Sequence, residues 1–228
     1  GQNSDSSPMT GGFDMNQFGL ASEGKLCEMK NVAEAFLGGH GSPYVAQVSM
    51  ADAPRLYKAM LDGLEYRGTS FYHCFTTCQP EHGVADNMAA DQARLAVDTR
   101  AFPMMTYDPS KGNTIKERLS LQGNPAVSED WWTNPKTGEQ VDFIDFCRSE
   151  GRFAKHFNRD GDPSDVLELA NLDRLENWRQ LQELAGLLDK KKPAQPTKPK
   201  ATPVVKNGDE VPPGYGLGTK IKYSAGTT

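Results

Sequence analysis

The sequence predicts an α/β fold built on a parallel sheet, because patterns typical of strands and helices alternate over residues 43–107. Two segments, 43–50 and 69–78, carry the β-branched, aromatic and apolar residues that favour buried strands. An amphipathic pattern between them indicates a helix, and a second helix and a third strand follow. Strands joined through single helices in this way are usually parallel.

The elements before residue 69 have recognisable ends. Residues 27–37 have helical spacing of apolar side chains, and Gly38-Gly39 ends that helix. After the strand at 43–50, Asp52 is the expected N-cap of the next helix, with Pro54 in its first turn. Gly68 is expected to break this helix.

The loop after the second predicted strand is the expected ligand-binding edge. Residues 69–78 form the strand, residues 79–83 the loop, 87–99 the next helix and 102–107 the third strand. Ligands of parallel α/β sheets gather at the carboxyl ends of the strands. The segment from Cys78 to Gly83 lies at such an end.

The rest of the chain is expected to cover the sheet. Residues 110–140 are loop-rich, and Trp131-Trp132 is expected to pack on the domain as a lid. Helices are predicted over 142–157, which is rich in Phe, and over 164–188, starting at Ser164. The leucine stripe of the last helix is expected to pack onto the α/β unit.

Composition divides the chain into four parts. We expect a cofactor-proximal loop at 1–25, an α/β part at 26–140, C-terminal helices at 141–189 and an extended tail at 190–228. The tail contains six Pro, five Gly and eight Lys against two acidic residues, a net charge of +6. It is either solvated or a strap on a negatively charged partner surface. An apolar cluster favours the strap: Val211, Tyr215, Leu217, Ile221 and Tyr223.

Charge and hydropathy exclude several classes of protein. The 228 residues have a net charge of −5, which argues against nucleic-acid binding. No apolar run approaches the roughly 20 residues of a membrane span, and no signal-peptide pattern is present. The sparse cysteines fit a reducing cytoplasm better than a disulfide scaffold. The first residue is Gly rather than Met, which suggests processing, truncation or a piece of a longer protein.

The densest group of reactive side chains is His73, Cys74, Cys78 and His82. A zinc site at Cys74, Cys78 and His82 is one hypothesis. Strand geometry separates His73 from Cys74, and a mid-strand Cys74 is expected to be a buried small hydrophobe. Cys78 ends the strand and is the better candidate for a metal or cluster ligand. No nucleophile–base arrangement or phosphate-binding loop is recognisable.

Four stretches of the chain carry motifs in a defined order: a strand, Ser-Met, helix and strand run at 44–75, TTCQPEHGV at 76–84, a helix and Tyr-x-Pro strand at 94–109 and a Phe-rich helix at 143–157. Together they resemble the pyruvate and other 2-oxoacid:ferredoxin (flavodoxin) oxidoreductases. Residues 76–84 are similar to that family's Cys-x-x-(x)-His-Gly-Ile element, which follows a strand. Gly1-Gln2-Asn3-Ser4 resembles the end of the family's thiamine diphosphate loop.

The resemblance implies the C-terminal part of a thiamine diphosphate-binding domain, similar to the family's β-subunit. It assigns Cys78 as one ligand of a 4Fe-4S cluster, and it assigns Gly1 and Gln2 to the thiamine diphosphate loop with its Mg²⁺. It assigns no role to Cys27, Cys74 or Cys147, and the catalytic residues are expected outside this chain. The implied reaction is oxidative decarboxylation of a 2-oxoacid with coenzyme A, with electrons passed to ferredoxin or flavodoxin.

The departures from the family pattern imply that other polypeptide completes the site. The Gly-Asp-Gly segment and the remaining cluster cysteines are absent, and one thiolate cannot hold a cluster that needs four. We therefore expect partner chains and a dimeric assembly. Ala51-Asp52 stands where the family has Gly-Ala, so 2-oxoglutarate stays open beside pyruvate. The alternative is a non-catalytic α/β interaction subunit with a strap-like tail.

Overall fold

A computed structural model describes residues 30–188. The features predicted for Gly1, Gln2, Cys27 and the tail at 190–228 lie outside these residues. The described part contains a four-stranded sheet, a two-stranded hairpin and seven α-helices. The strands are β1 Tyr44–Ser49, β2 Ser70–Phe75, β3 Met105–Tyr107, β4 Leu119–Ser120, β5 Trp132–Thr133 and β6 Gln140–Val141. The helices are α1 Val32–Gly39, α2 Ala53–Glu65, α3 Gln79–His82, α4 Ala89–Asp98, α5 Ile115–Arg118, α6 Phe143–Arg148 and α7 Asp165–Leu184.

Strand β1 lies at the centre of the larger sheet, whose order is β2-β1-β3-β4. All six of its residues are buried, as expected of a strand covered on both faces. It pairs in parallel with β2, with Tyr44 opposite Ser70, and α2 makes the crossover. The Asp52 side chain accepts a hydrogen bond from the Arg55 backbone N–H at 3.1 Å, which confirms the predicted N-cap.

The α/β class is confirmed, but the sheet is mixed rather than wholly parallel. Strand β3 runs antiparallel to β1, and β4 antiparallel to β3. The reason is the position of α4, which packs against the 3-10 turn Met50–Asp52 that follows β1. Arg94 on α4 donates to the Ala51 carbonyl there. The helix therefore covers the carboxyl edge of the sheet, and the next strand starts at that edge and runs back.

The predicted helix over 142–157 is two elements. Helix α6 starts at a capping box in which Asp142 and Asp145 bond each other's backbone N–H groups. It ends at Arg148, and a 3-10 turn follows at Gly151–His156. Phe143 and Phe153 are nevertheless buried in one cluster, so the predicted apolar face is correct.

Helix α7 starts at the predicted Ser164, whose hydroxyl accepts a bond from the Leu167 N–H. Its leucine stripe is only partly buried. Leu167, Leu175 and Leu181 are buried, whereas three other leucines are exposed: Leu169, Leu172 and Leu184. The buried face is completed instead by three larger side chains: Arg174, Trp178 and Gln182. No helix among residues 30–188 is long and apolar enough to cross a membrane.

Arg100 connects the loop-rich segment after β4 to the core through hydrogen bonds. This residue is 1% exposed and has a left-handed backbone with φ of 60°. Its Nη2 donates to the carbonyls of Pro125 at 2.8 Å and Ala126 at 3.1 Å. Its guanidinium lies 4.0 Å from the Trp178 ring centroid, and the Trp178 indole donates to Glu129 O at 2.8 Å. Trp131 is partly buried against the core, as predicted for a lid.

We expect Arg100→Met to destabilise the fold by about 2–4 kcal/mol, measured as the free energy of unfolding in urea. The substitution leaves the Pro125 and Ala126 carbonyls without this donor and removes the contact with Trp178. The matched control is Arg179→Met on α7, which removes a partly exposed ion pair with Asp130 and should cost no more than about 1 kcal/mol. Equal losses in the two variants would contradict this role for Arg100.

Candidate functional site

The candidate site is the turn formed by residues 76–84, called the Cys78 turn below. Strand β2 ends at Phe75, three residues earlier than predicted, and the chain then makes the short helix α3. Cys78 precedes this helix with an extended backbone, and its carbonyl accepts the His82 N–H at 2.8 Å. The Cys78 side chain is partly exposed. Its thiol is therefore carried on a hydrogen-bonded turn rather than buried in the sheet.

Two glycines dock the Cys78 turn against the segment that follows α6. Gly83 has a left-handed backbone with φ of 65°, and its carbonyl accepts the Gly151 N–H at 3.1 Å. A Cβ atom on Gly83 would lie 2.7 Å from the Gly151 Cα, which is closer than atoms can approach. The two backbones pack without side chains between them, so this contact requires glycine.

A buried ionic cluster lies beneath the same contact. Glu150 is 2% exposed and pairs with Arg152, which is 4% exposed. Gln92 on α4 donates to Glu150 Oε1 at 3.0 Å and accepts from the Ser149 hydroxyl at 2.9 Å. Burial raises the pKa of Glu150, and Arg152 partly opposes that shift. Because a buried charge without a partner is costly, this cluster holds its members in one arrangement.

His82 connects the Cys78 turn to this cluster. Its Nδ1 is 3.6 Å from Glu150 Oε1, too long for a hydrogen bond, and this buried nitrogen has no hydrogen-bond partner. Burial lowers the pKa of His82 to about 4, and the positive charge of Arg152 contributes to the shift. His82 is therefore neutral at physiological pH.

The other predicted ligands are not brought together with Cys78. Within residues 30–188, no three His, Cys, Asp or Glu side chains form a group that could hold a metal ion. The zinc hypothesis for Cys74, Cys78 and His82 is therefore wrong for this part of the chain. His73 instead pairs through Nδ1 with the Gln47 side chain at 2.9 Å.

The prediction that Cys74 is buried is also wrong. The residue is exposed, because β2 is an edge strand of the sheet and not a central one. Among the cysteines in residues 30–188, Cys147 is the buried one, fully enclosed on α6, and burial raises its pKa well above the ordinary value. Neither residue shares the turn that carries Cys78.

Sequence reasoning missed the residues that support the Cys78 turn. Glu150 and Arg152 lie in the Phe-rich segment predicted as one helix over 142–157, and Gln92 lies in the helix predicted over 87–99. One signal was available: a charged pair flanking a glycine, Glu150-Gly151-Arg152, inside a Phe-rich run. The role of this pair depends on the hydrogen bond between Glu150 and Gln92, which lies 58 positions earlier in the sequence. No local pattern reveals such a contact.

Comparison with curated proteins supports the pyruvate:ferredoxin oxidoreductase family, although no family model matches the chain. The pyruvate-flavodoxin oxidoreductase of Rhodospirillum rubrum is 27% identical over 199 residues, which are 86% of this chain and 15% of that protein. The pyruvate synthase subunit PorB of Methanosarcina barkeri is 24% identical over 168 residues, or 74% of this chain and 50% of that subunit. The pyruvate dehydrogenase [NADP(+)] of Cryptosporidium parvum is 28% identical over 59% of this chain and 7% of that protein.

These similarities confirm the family resemblance of the sequence, at low identity. The chain spans half or less of the length of each of these relatives.

Gly83→Ala should destabilise the protein by about 2–4 kcal/mol, because its Cβ would meet the Gly151 backbone. Gly138→Ala is the matched control, since Gly138 also has a positive φ, of 73°, but a Cβ there meets nothing within 4 Å. The control should lose only about 1 kcal/mol, the cost of the backbone conformation alone. Thermal or urea unfolding of both variants measures the difference, and similar losses would exclude a specific Gly83–Gly151 contact.

His82 should make the protein less stable in weak acid. The pKa of His82 is about 4 in the folded protein against an ordinary 6.5, so its contribution is complete above pH 6.5 and is lost as the pH falls toward 4. Glu150 faces this ring and titrates in the opposite direction, since burial raises its pKa.

We expect His82→Leu to remove about 1–3 kcal/mol of the stability difference between neutral pH and about pH 4.5. Urea unfolding of wild type and variant at both pH values isolates the histidine from the other groups. An unchanged pH dependence in the variant would show that His82 does not titrate in this way.

Proposed function

We propose that this chain forms part of a 2-oxoacid:ferredoxin oxidoreductase and contributes Cys78 to the 4Fe-4S cluster nearest the thiamine diphosphate. The observation that carries the proposal is the Cys78 turn itself. It presents a partly exposed thiol on a supported turn at the end of a strand, in the sequence context that resembles the family. The relatives named as pyruvate oxidoreductases favour pyruvate over 2-oxoglutarate as the substrate.

Cys78 fits the role of one cluster ligand but not that of a complete site. A 4Fe-4S cluster takes four thiolates, and residues 30–188 hold no group of three candidate ligands. The other ligands would come from polypeptide outside this part of the chain. When bound, the thiamine diphosphate with its Mg²⁺ would act as an electron sink during decarboxylation, and the cluster would carry electrons one at a time. Gly1 and Gln2 are proposed for the thiamine diphosphate loop.

The described residues would position the ligand and control the charge around it. The Gly83–Gly151 contact and the Glu150–Arg152 pair would support the turn that carries the Cys78 thiol. The neutral His82 adds no charge beside it, and the Glu150–Arg152 pair balances its own charges. Because cluster potentials depend on nearby charge and solvent exposure, this arrangement would influence the potential of a cluster held here.

The whole reaction would need further components. In our proposal the assembly uses coenzyme A and a 2-oxoacid, passes electrons to ferredoxin or flavodoxin, and contains the remaining oxidoreductase polypeptides in a dimeric assembly. PorB is named as a subunit of pyruvate synthase, which supports an assembly of several chains. We place this assembly in the cytoplasm, where reduced thiols persist.

Cys78→Ser in the complete assembly should lower bound iron and labile sulfide by about one cluster per chain and abolish ferredoxin reduction. Iron and sulfide analysis and the visible absorption of the cluster measure the loss. Cys74→Ser is the matched control, because Cys74 is exposed on the edge of β2, only four residues away. It should retain both the cluster and the activity.

Unchanged iron and sulfide in the Cys78→Ser assembly would overturn the ligand assignment. If the wild-type and Cys78→Ser assemblies both form normally and neither carries a cluster, the alternative of a non-catalytic interaction subunit is favoured. Deleting residues 190–228 then tests the strap role of the tail, because loss of assembly would support it and intact assembly would exclude it.

A further inference from the structure

Helix α7 carries neighbouring leucines on its outer face. Leu169 and Leu172 lie one turn apart and are 40% and 46% exposed, whereas the opposite face is buried through Leu167, Leu181 and Trp178. The exposed apolar surface continues past the end of the helix through three more leucines: Leu184, Leu187 and Leu188. A helix with one face packed on the core usually presents polar side chains on the other, so this strip indicates a surface for docking.

The exposed charges of α7 itself are all acidic. Four carboxylate side chains of the helix are exposed: Asp165, Glu168, Glu176 and Glu183. The two arginines of α7 do not balance them, because Arg174 is buried and Arg179 pairs with Asp130 at 2.6 Å. Outside the helix, Lys116 lies beside Gly186 at its far end. The half of α7 that begins at residue 165 therefore combines exposed leucines with negative charge.

An exposed apolar strip on α2 has a different charge. Tyr57, Leu61 and Leu64 are spaced about one turn apart and are all exposed. The charges between them cancel, since Lys58 pairs with Asp62 at 2.8 Å. A basic segment is therefore attracted to α7 and not to α2, which makes α2 the natural comparison surface.

The chain itself contains a segment that complements the outer face of α7. Residues 190–228 carry eight Lys against two acidic residues, and their apolar cluster ends in the alternating run Lys220-Ile221-Lys222-Tyr223. In an extended chain this alternation places the apolar side chains on one side and the lysines on the other. Long lysine side chains can still reach carboxylates at the rim of an apolar surface.

The length of the chain allows this segment to return to α7. Residue 190 comes six positions after the end of the helix at Leu184. From there Leu169 is about 22 Å back along the helix axis. A flexible linker as long as residues 190–216 spans about 30 Å on average. Because the two lengths are similar, the effective concentration of the tail at α7 is about millimolar, which favours the chain's own tail over a separate partner.

We propose that residues 211–223 dock on the outer face of α7 in the same chain, with their apolar side chains over Leu169 and Leu172 and their lysines beside Glu168 and Glu176. The attraction combines burial of apolar surface with pairing of opposite charges. The tail is then a strap on this chain's own helix rather than on a partner. This proposal goes beyond the oxidoreductase assignment and does not depend on the proposed cluster.

Carbodiimide cross-linking of the complete 228-residue chain tests this placement, because it joins an amine to a carboxylate only when the two are in contact. We expect links from Lys220 or Lys222 to Glu168 or Glu176, identified by mass spectrometry. Raising the salt concentration from about 0.05 M to about 0.5 M should reduce them severalfold, since exposed charges are then screened. Mixing unlabelled with isotope-labelled chain distinguishes links within a chain from links between chains.

Leu169→Ser together with Leu172→Ser should reduce these links about fivefold, because the pair of substitutions removes the apolar surface that the strap covers. Both side chains are exposed, so the fold should persist. The matched control is Leu61→Ser together with Leu64→Ser on α2, which should leave the links unchanged.

Trypsin gives a second readout that does not depend on the cross-linking chemistry. Docking shields the bonds after Lys220 and Lys222, so Glu168→Gln together with Glu176→Gln should accelerate cleavage there about fivefold. Glu65→Gln on α2 also removes an exposed carboxylate and should leave the cleavage rate unchanged.

Three results would each overturn the proposal. These are no links between the tail and α7, links only between differently labelled chains, or equal effects of the α7 and α2 variants. Neither readout measures iron, sulfide or ferredoxin reduction, so such a failure is distinguishable from a failure of the Cys78 assignment.

Discussion

The buried guanidinium of Arg100 joins three parts of the chain. Its backbone lies in the turn that leads into β3, its nitrogens bond the loop at 125–130, and its face stacks on Trp178 of α7. Burial lowers its pKa to about 10, but Asp98 and Asp130 help keep it charged. A charge removed from water in this way is stable only in one geometry, so the loop, the strand and the helix are fixed together.

The Cys78 turn depends on a second arrangement of the same physical kind. Two glycines allow the backbones to touch, Glu150 pairs with Arg152 and accepts a hydrogen bond from Gln92, and His82 lies beside Glu150. The thiol at the surface is thus supported by a buried layer that contains no ligand itself. We propose that Cys78 is the one cluster ligand this turn carries and that other polypeptide completes the site.

Local sequence patterns predicted the helices and strands well, but they predicted poorly how these elements pack against one another. The buried β1, the Asp52 cap and the start of α7 at Ser164 follow from short-range rules of strand composition and capping. The direction of β3 does not follow from such rules, because it depends on the packing of α4 against the turn at Met50–Asp52. The exposure of Cys74 follows from the position of β2 at the edge of the sheet. The family motif indicated Cys78, but the Glu150 cluster could not be found without the fold.

The contact between Gly83 and Gly151 also sets an order of events during synthesis. A nascent chain that ends before residue 149 already contains β2, Cys78 and α4, yet it lacks every partner that the turn uses from the segment after α6. Bringing such distant residues together costs the conformational entropy of the intervening chain. The Gly83–Gly151 contact is therefore expected to form after the local helices and strands. The Cys78 thiol is therefore synthesised before the segment that supports its turn. Until that segment has been made, the thiol is accessible to any oxidant, metal or chaperone that meets the unfinished chain.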